Sequence, residues 1–152
     1  MAASTTLLSD FTDPRFRGAF QDYFAELKIT VRDWNGLFRE MDAEGTNRAW
    51  LLPDEAGEVC GFLLFQVTGF SHWFFQEPFG FIREFWVHPA HRRQGYGREL
   101  LRLTEDYFAA HDAYRSILTA DTAVEFYLAN GYRRAPGIRA KNKMEVLSKV
   151  LY

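Results

Sequence analysis

The sequence predicts a mixed α/β fold, and three observations carry that prediction. Two early stretches repeat aromatic and apolar residues at helical spacing. A middle stretch consists of apolar runs broken by turn residues. Helical and extended segments then alternate toward the end of the chain. The order reads as two helices, three strands, a helix, a strand, a helix and closing strands, with no internal repeat or long linker.

In "SDFTDPRFRGAFQDYFAEL", Asp13 before Pro14 makes a helix cap and first-turn residue. Phe16, Phe20, Tyr23, Phe24 and Leu27 then recur on one helical face, which predicts a helix from about Pro14 to Glu26. Gly18 weakens it without forbidding it. Asp33 caps a second short helix through Phe38 and Met41, closed by "DAEGTN". Arg48 to Leu52 reads as a strand, "PDEAGE" as a turn and Val59 to Thr68 as a long apolar strand, together an antiparallel hairpin. Gly80 to Val87 is the next strand, stopped by His88 and Pro89. Tyr96 to Ala110 is an amphipathic helix, "SILTA" a short strand and "DTAVEFYLANGY" a helix ended by Asn130 and Gly131. The segments near Arg133 and "MEVLSKVL" form a closing hairpin.

A length of 152 residues suits one domain, 1–152, with a real hydrophobic core. Apolar residues make up 47% and aromatics 17%, which argues against broad disorder. A net charge of −2 does not suggest a general nucleic-acid binder but leaves room for a local phosphate site. Cys60 is the one cysteine, so an internal disulfide and a Cys-rich zinc site are excluded; no metal site is predicted, and Cys60 reads as a small buried apolar residue. "MAASTTLLSD" lacks the pattern of a signal peptide, and no apolar run is long enough for a membrane-spanning helix. The expectation is a cytoplasmic protein with no membrane or nucleic-acid partner.

The segment "HPAHRRQGYGREL" lies between a strand and a helix. Gly95 and Gly97 remove side chains from the approach to the helix. The first helical turn has backbone N–H groups with no intrahelical partner, and a phosphate placed there gains hydrogen bonds and the helix dipole. Arg92, Arg93 and Arg98 add positive charge, and Gln94 can orient the loop. Neither GxxxxGK[ST] nor GxGxxG is present, so neither nucleotide pattern applies. The spacing alone also fits a plain connection with solvated arginines.

Val87-His88-Pro89, followed by Arg92-Arg93-Gln94-Gly95-Tyr96-Gly97, resembles the acetyl-CoA signature [Q/R]xxGx[G/A] of the GNAT superfamily of N-acetyltransferases. "EFWVHP" and "RELLRLTEDYF" resemble the family's fourth strand and third helix, and "AVEFYLANGY" its last helix and following turn. The resemblance runs from Gly80 to Tyr132. It implies a mostly antiparallel central sheet flanked by helices and acetyl-CoA as cosubstrate. It gives the backbone amides of Gln94, Gly95, Tyr96 and Gly97 to the CoA diphosphate, with Arg92, Arg93 and Arg98 flanking. It sets the pantetheine arm along Phe85, Trp86 and Val87, with a donor from Val87 for the developing oxyanion.

The same resemblance implies two catalytic residues. Glu84, on the fourth strand, is the candidate base for the amine proton; partial removal from water would make its carboxylate a better base. Tyr127 fills the family's tyrosine position and is the candidate acid for the leaving thiolate. The bland alternatives are an ion pair of Glu84 with Arg83 or another surface group, and a buried Tyr127 whose hydroxyl meets the backbone. His88 and His91 are weaker candidates because they adjoin the diphosphate turn. One departure is visible: relatives often carry asparagine where this chain has Ala120.

The acceptor pocket is expected from the first two helices, the hairpin and the late β-turn. Its candidate lining is Phe24, Trp34, Phe38, Phe70, Trp73, Phe74 and Phe75. His72 to Phe75 reads as an exposed loop over the acceptor or half of a homodimer contact, with core packing as the alternative. Glu77 and Glu84 favour a cationic acceptor. A small-molecule primary amine is therefore the favoured acceptor. Two other readings stay open: an acyl-CoA-binding sensor or interaction module with little transfer, supported by Ala120, and a phosphate-binding protein unrelated to acetyltransferases.

Overall fold

A computed structural model describes residues 5–152. Met1–Ser4, the start of the stretch read above for a signal peptide, lie outside the described residues. The strands are β1 (Thr6–Leu8), β2 (Asn47–Pro53), β3 (Val59–Ser71), β4 (Gln76–Val87), β5 (Arg115–Ala120), β6 (Arg133–Arg134) and β7 (Glu145–Val150). The helices are α1 (Pro14–Glu26), α2 (Trp34–Glu44), α3 (Tyr96–Ala110) and α4 (Val124–Ala129). The strands hydrogen-bond in the order β1-β2-β3-β4-β5-β7-β6. The sheet is mixed and mostly antiparallel, with β4 and β5 the parallel pair. The chain divides into two compact units: one of the residues up to Phe65 with Glu84–Leu101, the other of Gln66–Arg83 with Arg102–Tyr152.

The first unit owes its core to the aromatic stripe of α1. Asp13 caps that helix by accepting from the Arg15 amide at 2.9 Å, and Pro14 opens it. Phe16 and Phe20 are buried, and Phe16 meets Phe11, Phe38 and Phe62 edge-on at 5.0, 6.0 and 5.5 Å between ring centres. Such pairs add about 0.5–1.5 kcal/mol each beyond area burial. Asp33 caps α2 through the Gly36 amide at 3.0 Å, and Gly45 ends it in the left-handed conformation. The β2–β3 turn is closed by Asp54, whose carboxylate accepts from the amides of Ala56 and Glu58. β1, three residues long, precedes α1 and pairs antiparallel with β2; the sequence reading did not include it.

In the second unit, β5 and β7 pair antiparallel from Arg115↔Val150 to Ala120↔Glu145. β4 meets β5 in parallel at Gly80↔Ser116 and Phe81↔Ile117. Gly80 is needed there because a Cβ would fall 2.1 Å from the Phe108 ring of α3. The buried Tyr132 hydroxyl donates to Glu105 at 2.9 Å and lies 2.8 Å from the Ser116 hydroxyl; Lys149 donates to Glu105 at 2.8 Å. Burial, then the Glu105 charge, pushes the Tyr132 phenol far above its usual range, so it stays a neutral donor. β4 begins at Gln76, four residues before the predicted start, and the β3–β4 tip is short. Trp73, Phe74 and Phe75 at that tip are 92%, 83% and 69% exposed, which rules out core packing for them. Among the described residues, no helix is long and apolar enough to cross a membrane.

Candidate functional site

β4 ends at Val87 and the chain enters a short 3-10 turn, Pro89–His91. His88 shapes that turn: its Nδ1 accepts from the Ala90 amide at 3.1 Å, which puts the ring proton on Nε2. The His88 amide donates to the Cys60 carbonyl at 2.7 Å and holds the end of β4 against β3. The chain then turns through two left-handed residues, Arg93 and Gly95, with φ of 63° and 87°. At Gly95 any side chain would be strained, although the space around it is open. The first intrahelical bond of α3 runs from the Glu99 amide to the Gly95 carbonyl at 3.1 Å. The amides of Tyr96, Gly97 and Arg98 precede it and have no partner within the helix. Three backbone donors therefore sit at the positive end of a 15-residue helix, on the glycine-bearing turn singled out in the sequence.

The arginines of this turn are not equivalent. Arg93 and Arg98 are exposed. Arg92 is tied down: its Nε donates to the Val87 carbonyl at 2.8 Å, and its Nη2 reaches both carboxylate oxygens of Glu26. Glu26 also accepts from the Trp86 indole at 2.8 Å. The Trp86 hydrogen bond, then those from Arg92, hold the Glu26 carboxyl below the usual carboxylate range. The last residue of α1 thus fastens both the end of β4 and the start of the turn. Trp86 is buried against Phe62, so its side chain serves the core, while Phe85 and Val87 are half-buried.

Glu84 lies on β4 three residues before Val87, and the Tyr23 hydroxyl of α1 donates to its Oε2 at 2.6 Å. The Glu84 carboxylate is thereby held on a tyrosine that the sequence reading placed only on the apolar stripe of α1. Tyr127 is buried on α4 and packs edge-on against Phe126 and Tyr132 at 5.2 and 5.6 Å. Its helix starts at Val124 with no side-chain cap. Ala120 is buried on β5 opposite Glu145.

Of the expected acceptor lining, Phe38 is a core residue, and Phe24 and Trp34 pack partly buried against the same cluster. Phe70, Trp73, Phe74 and Phe75 are exposed. Glu77 is engaged by Tyr114 and by Arg115 at 3.3 Å, so its charge is already paired. Cys60 is buried, and burial pushes its thiol upward, away from the reactive thiolate form. Among the described residues, no cluster of His, Cys, Asp or Glu is arranged to hold a metal ion.

The comparisons agree with this architecture. No curated protein sequence shows significant similarity to the chain. Among solved structures, an acetyltransferase of the GNAT family from Staphylococcus aureus is 12% identical, with 98% of this chain and 100% of that one covered and a TM-score of 0.72. Tetrahymena GCN5 is 12% identical over 99% and 97% of the two chains, at a TM-score of 0.70. An aminoglycoside acetyltransferase from an uncultured soil metagenomic sample, in complex with sisomicin, is 18% identical over 84% and 83%, at a TM-score of 0.66. At these identities the likeness establishes the fold alone. The model of the acetyltransferase (GNAT) family matches residues 6–132, a span that includes Glu84, the glycine turn and Tyr127. A family match over most of the chain, on a fold whose fourth strand leads into that turn, makes this protein a member of the acetyltransferase (GNAT) family.

Proposed function

We propose that this protein is an N-acetyltransferase that moves the acetyl group of acetyl-CoA directly to the primary amine of a small molecule. The carrying observation is the turn: a left-handed Gly95 opens α3 after the end of β4, and the amides that follow it, Tyr96 and Gly97 among them, have no partner within the helix. In this reading Gln94, Gly95, Tyr96 and Gly97 hold the diphosphate through their amides, with Arg93 and Arg98 adding field from exposed positions. Phe85, Trp86 and Val87 offer backbone to the pantetheine arm, and Val87 supplies the oxyanion donor.

Glu84 takes the proton of the attacking amine, directly or through water, and Tyr23 orients its carboxylate. The amine nitrogen bonds to the thioester carbon, the C–S bond breaks, and the sulfur takes a proton from the Tyr127 hydroxyl. The buried Cys60 supports direct transfer over an acyl-enzyme. Ala120 favours a second reading, an acyl-CoA-binding module with little transfer, because alanine offers no side-chain hydrogen bond at the place where the family resemblance leads to an expected asparagine.

The test is CoA thiol release from acetyl-CoA with polyamines, amino acids, aminoglycosides and peptide N-termini as acceptors. Release that depends on one of the small amines supports the transferase. Release confined to peptides contradicts the small-molecule acceptor. Tight acetyl-CoA binding with no acceptor-dependent release favours the binding module.

A further inference from the structure

We propose that the tip of the β3–β4 hairpin docks on the polar–apolar interface of a lipid bilayer. Phe70, Trp73, Phe74 and Phe75 crowd this tip, and all four are more than half exposed. Residues 68–76 form an unbroken exposed run. A strand with one face on a core alternates buried and exposed side chains, so at this end neither face of the hairpin is covered. From Val59 to Gln76 the chain carries no Asp, Glu, Lys or Arg. The charge that follows, Glu77, is engaged by Tyr114 and by Arg115 at 3.3 Å. Little charge therefore has to leave water when the tip enters an apolar phase.

The fold does not ask for these rings. The His72 amide donates to the Phe75 carbonyl at 2.7 Å and closes a turn with Trp73 and Phe74 at its centre. Gly, Asn and Asp are the usual residues at such positions, with positive φ, and neither Trp73 nor Phe74 has one. Large aromatics set against the local preference, with no packing gain, mark a contact surface. A second copy of the chain demands more than the tip offers. At their observed exposure the four side chains present roughly 450–750 Å², short of the about 800 Å² per partner of a standard interface. A bilayer interface sets no such area and requires no matching shape; it accepts Trp at the level of the headgroups and Phe beside the acyl chains. The expectation of no membrane partner came from the lack of a signal peptide and of a spanning helix, and docking by a hairpin tip needs neither. This inference does not rest on the acyl-transfer reading.

The experiment is sedimentation of the full chain with phosphatidylcholine vesicles, in the absence of acetyl-CoA and amine. The chain is expected to sediment with the vesicles, and raised salt is expected not to release it, since no charge pair holds it there. Trp73→Ser combined with Phe74→Ser is expected to weaken this association at least about tenfold, the scale of burying one aromatic side chain, with an unchanged thermal melt. Vesicles with brominated acyl chains are expected to quench the tryptophan fluorescence of the parent, and Trp73→Phe to remove that quenching while keeping most of the association. The proposal is overturned by no association with phosphatidylcholine, by parental association of the double variant, or by association that needs phosphatidylserine and is lost in salt. Quenching that survives Trp73→Phe, or a lipid-free dimer that the double variant abolishes, also overturns it. Acetyl-CoA binding, measured on the same samples, reports on the acyl-transfer reading alone.

Discussion

Arg92 Nη2 donates to both carboxylate oxygens of Glu26, at 2.8 and 2.9 Å, while its Nε holds the Val87 carbonyl. The arginine that opens the glycine turn thus acts as a strap from the end of α1 to the end of β4. Its charge is shared with Glu26, whereas Arg93 and Arg98 are exposed.

Glu26→Gln removes the charge from that strap while leaving an oxygen for the Trp86 indole. The pair is about two-fifths exposed, so its loss costs no more than about 1 kcal/mol of stability. The effect falls instead on binding: KM for acetyl-CoA rises and kcat changes little, because the turn is less well held. The sign of the pH dependence follows from the lowered Glu26 pKa. The strap's contribution is complete above the unfolded carboxyl pKa and is lost as pH falls through the lower folded value. Melts of parent and variant are therefore expected to differ at neutral pH and to converge in acid. Parallel melts at every pH would contradict the strap.

Gly95→Ala tests the backbone of the turn without adding bulk. At φ of 87° any Cβ is strained, though no neighbour obstructs it. A stability loss of about 1 kcal/mol or more is expected, together with weaker acetyl-CoA binding. Calorimetry that shows parental affinity would separate the turn from the cosubstrate.

Much of this framework was readable from the chain, and the exceptions have physical reasons. The limits of α1 followed from Asp13, Pro14 and the aromatic stripe, and Asp33 and Gly45 bracket α2. β1 was missed because three residues carry no period. The start of β4 at Gln76 is hidden in the sequence because the aromatic run just before it, His72 to Phe75, reads as an exposed loop. The turn was visible through its glycines, but its supports were not. Glu26 lies 60 residues from Trp86 and 66 from Arg92, and Tyr23 lies 61 from Glu84. No local pattern reports a pairing at such separations; only the packing of α1 brings them together.

Glu84→Gln keeps the hydrogen bond from Tyr23 and removes the base. Turnover is expected to fall most at low pH, where few amine molecules are already neutral, and to recover in part as pH rises. The loss at low pH should lie within about 10²–10⁴-fold. A pH–rate profile matching the parent in height and shape, in a folded variant with normal acetyl-CoA affinity, would reject the role.

Tyr127→Phe keeps the ring packed against Phe126 and Tyr132 and removes only the hydroxyl. Acetyl-CoA should bind nearly as before, with the chemical step slowed toward the lower end of about 10²–10⁴-fold, since a thiolate already leaves well. Single-turnover rates are the measure, because product release can mask the chemical step. A parental single-turnover rate would rule the hydroxyl out as an essential acid.

The most direct test of the whole account is mass spectrometry of the acceptor after incubation with acetyl-CoA, for the parent and for Gly97→Trp. The parent is expected to add one acetyl group to a small primary amine. Gly97→Trp, with its bulk on the first turn of α3, is expected to stay folded, bind acetyl-CoA at least about tenfold more weakly and leave the amine unmodified at the same cosubstrate concentration. Acetylation by the variant at the parental rate, or a parent that binds acetyl-CoA and modifies no amine, would contradict the account.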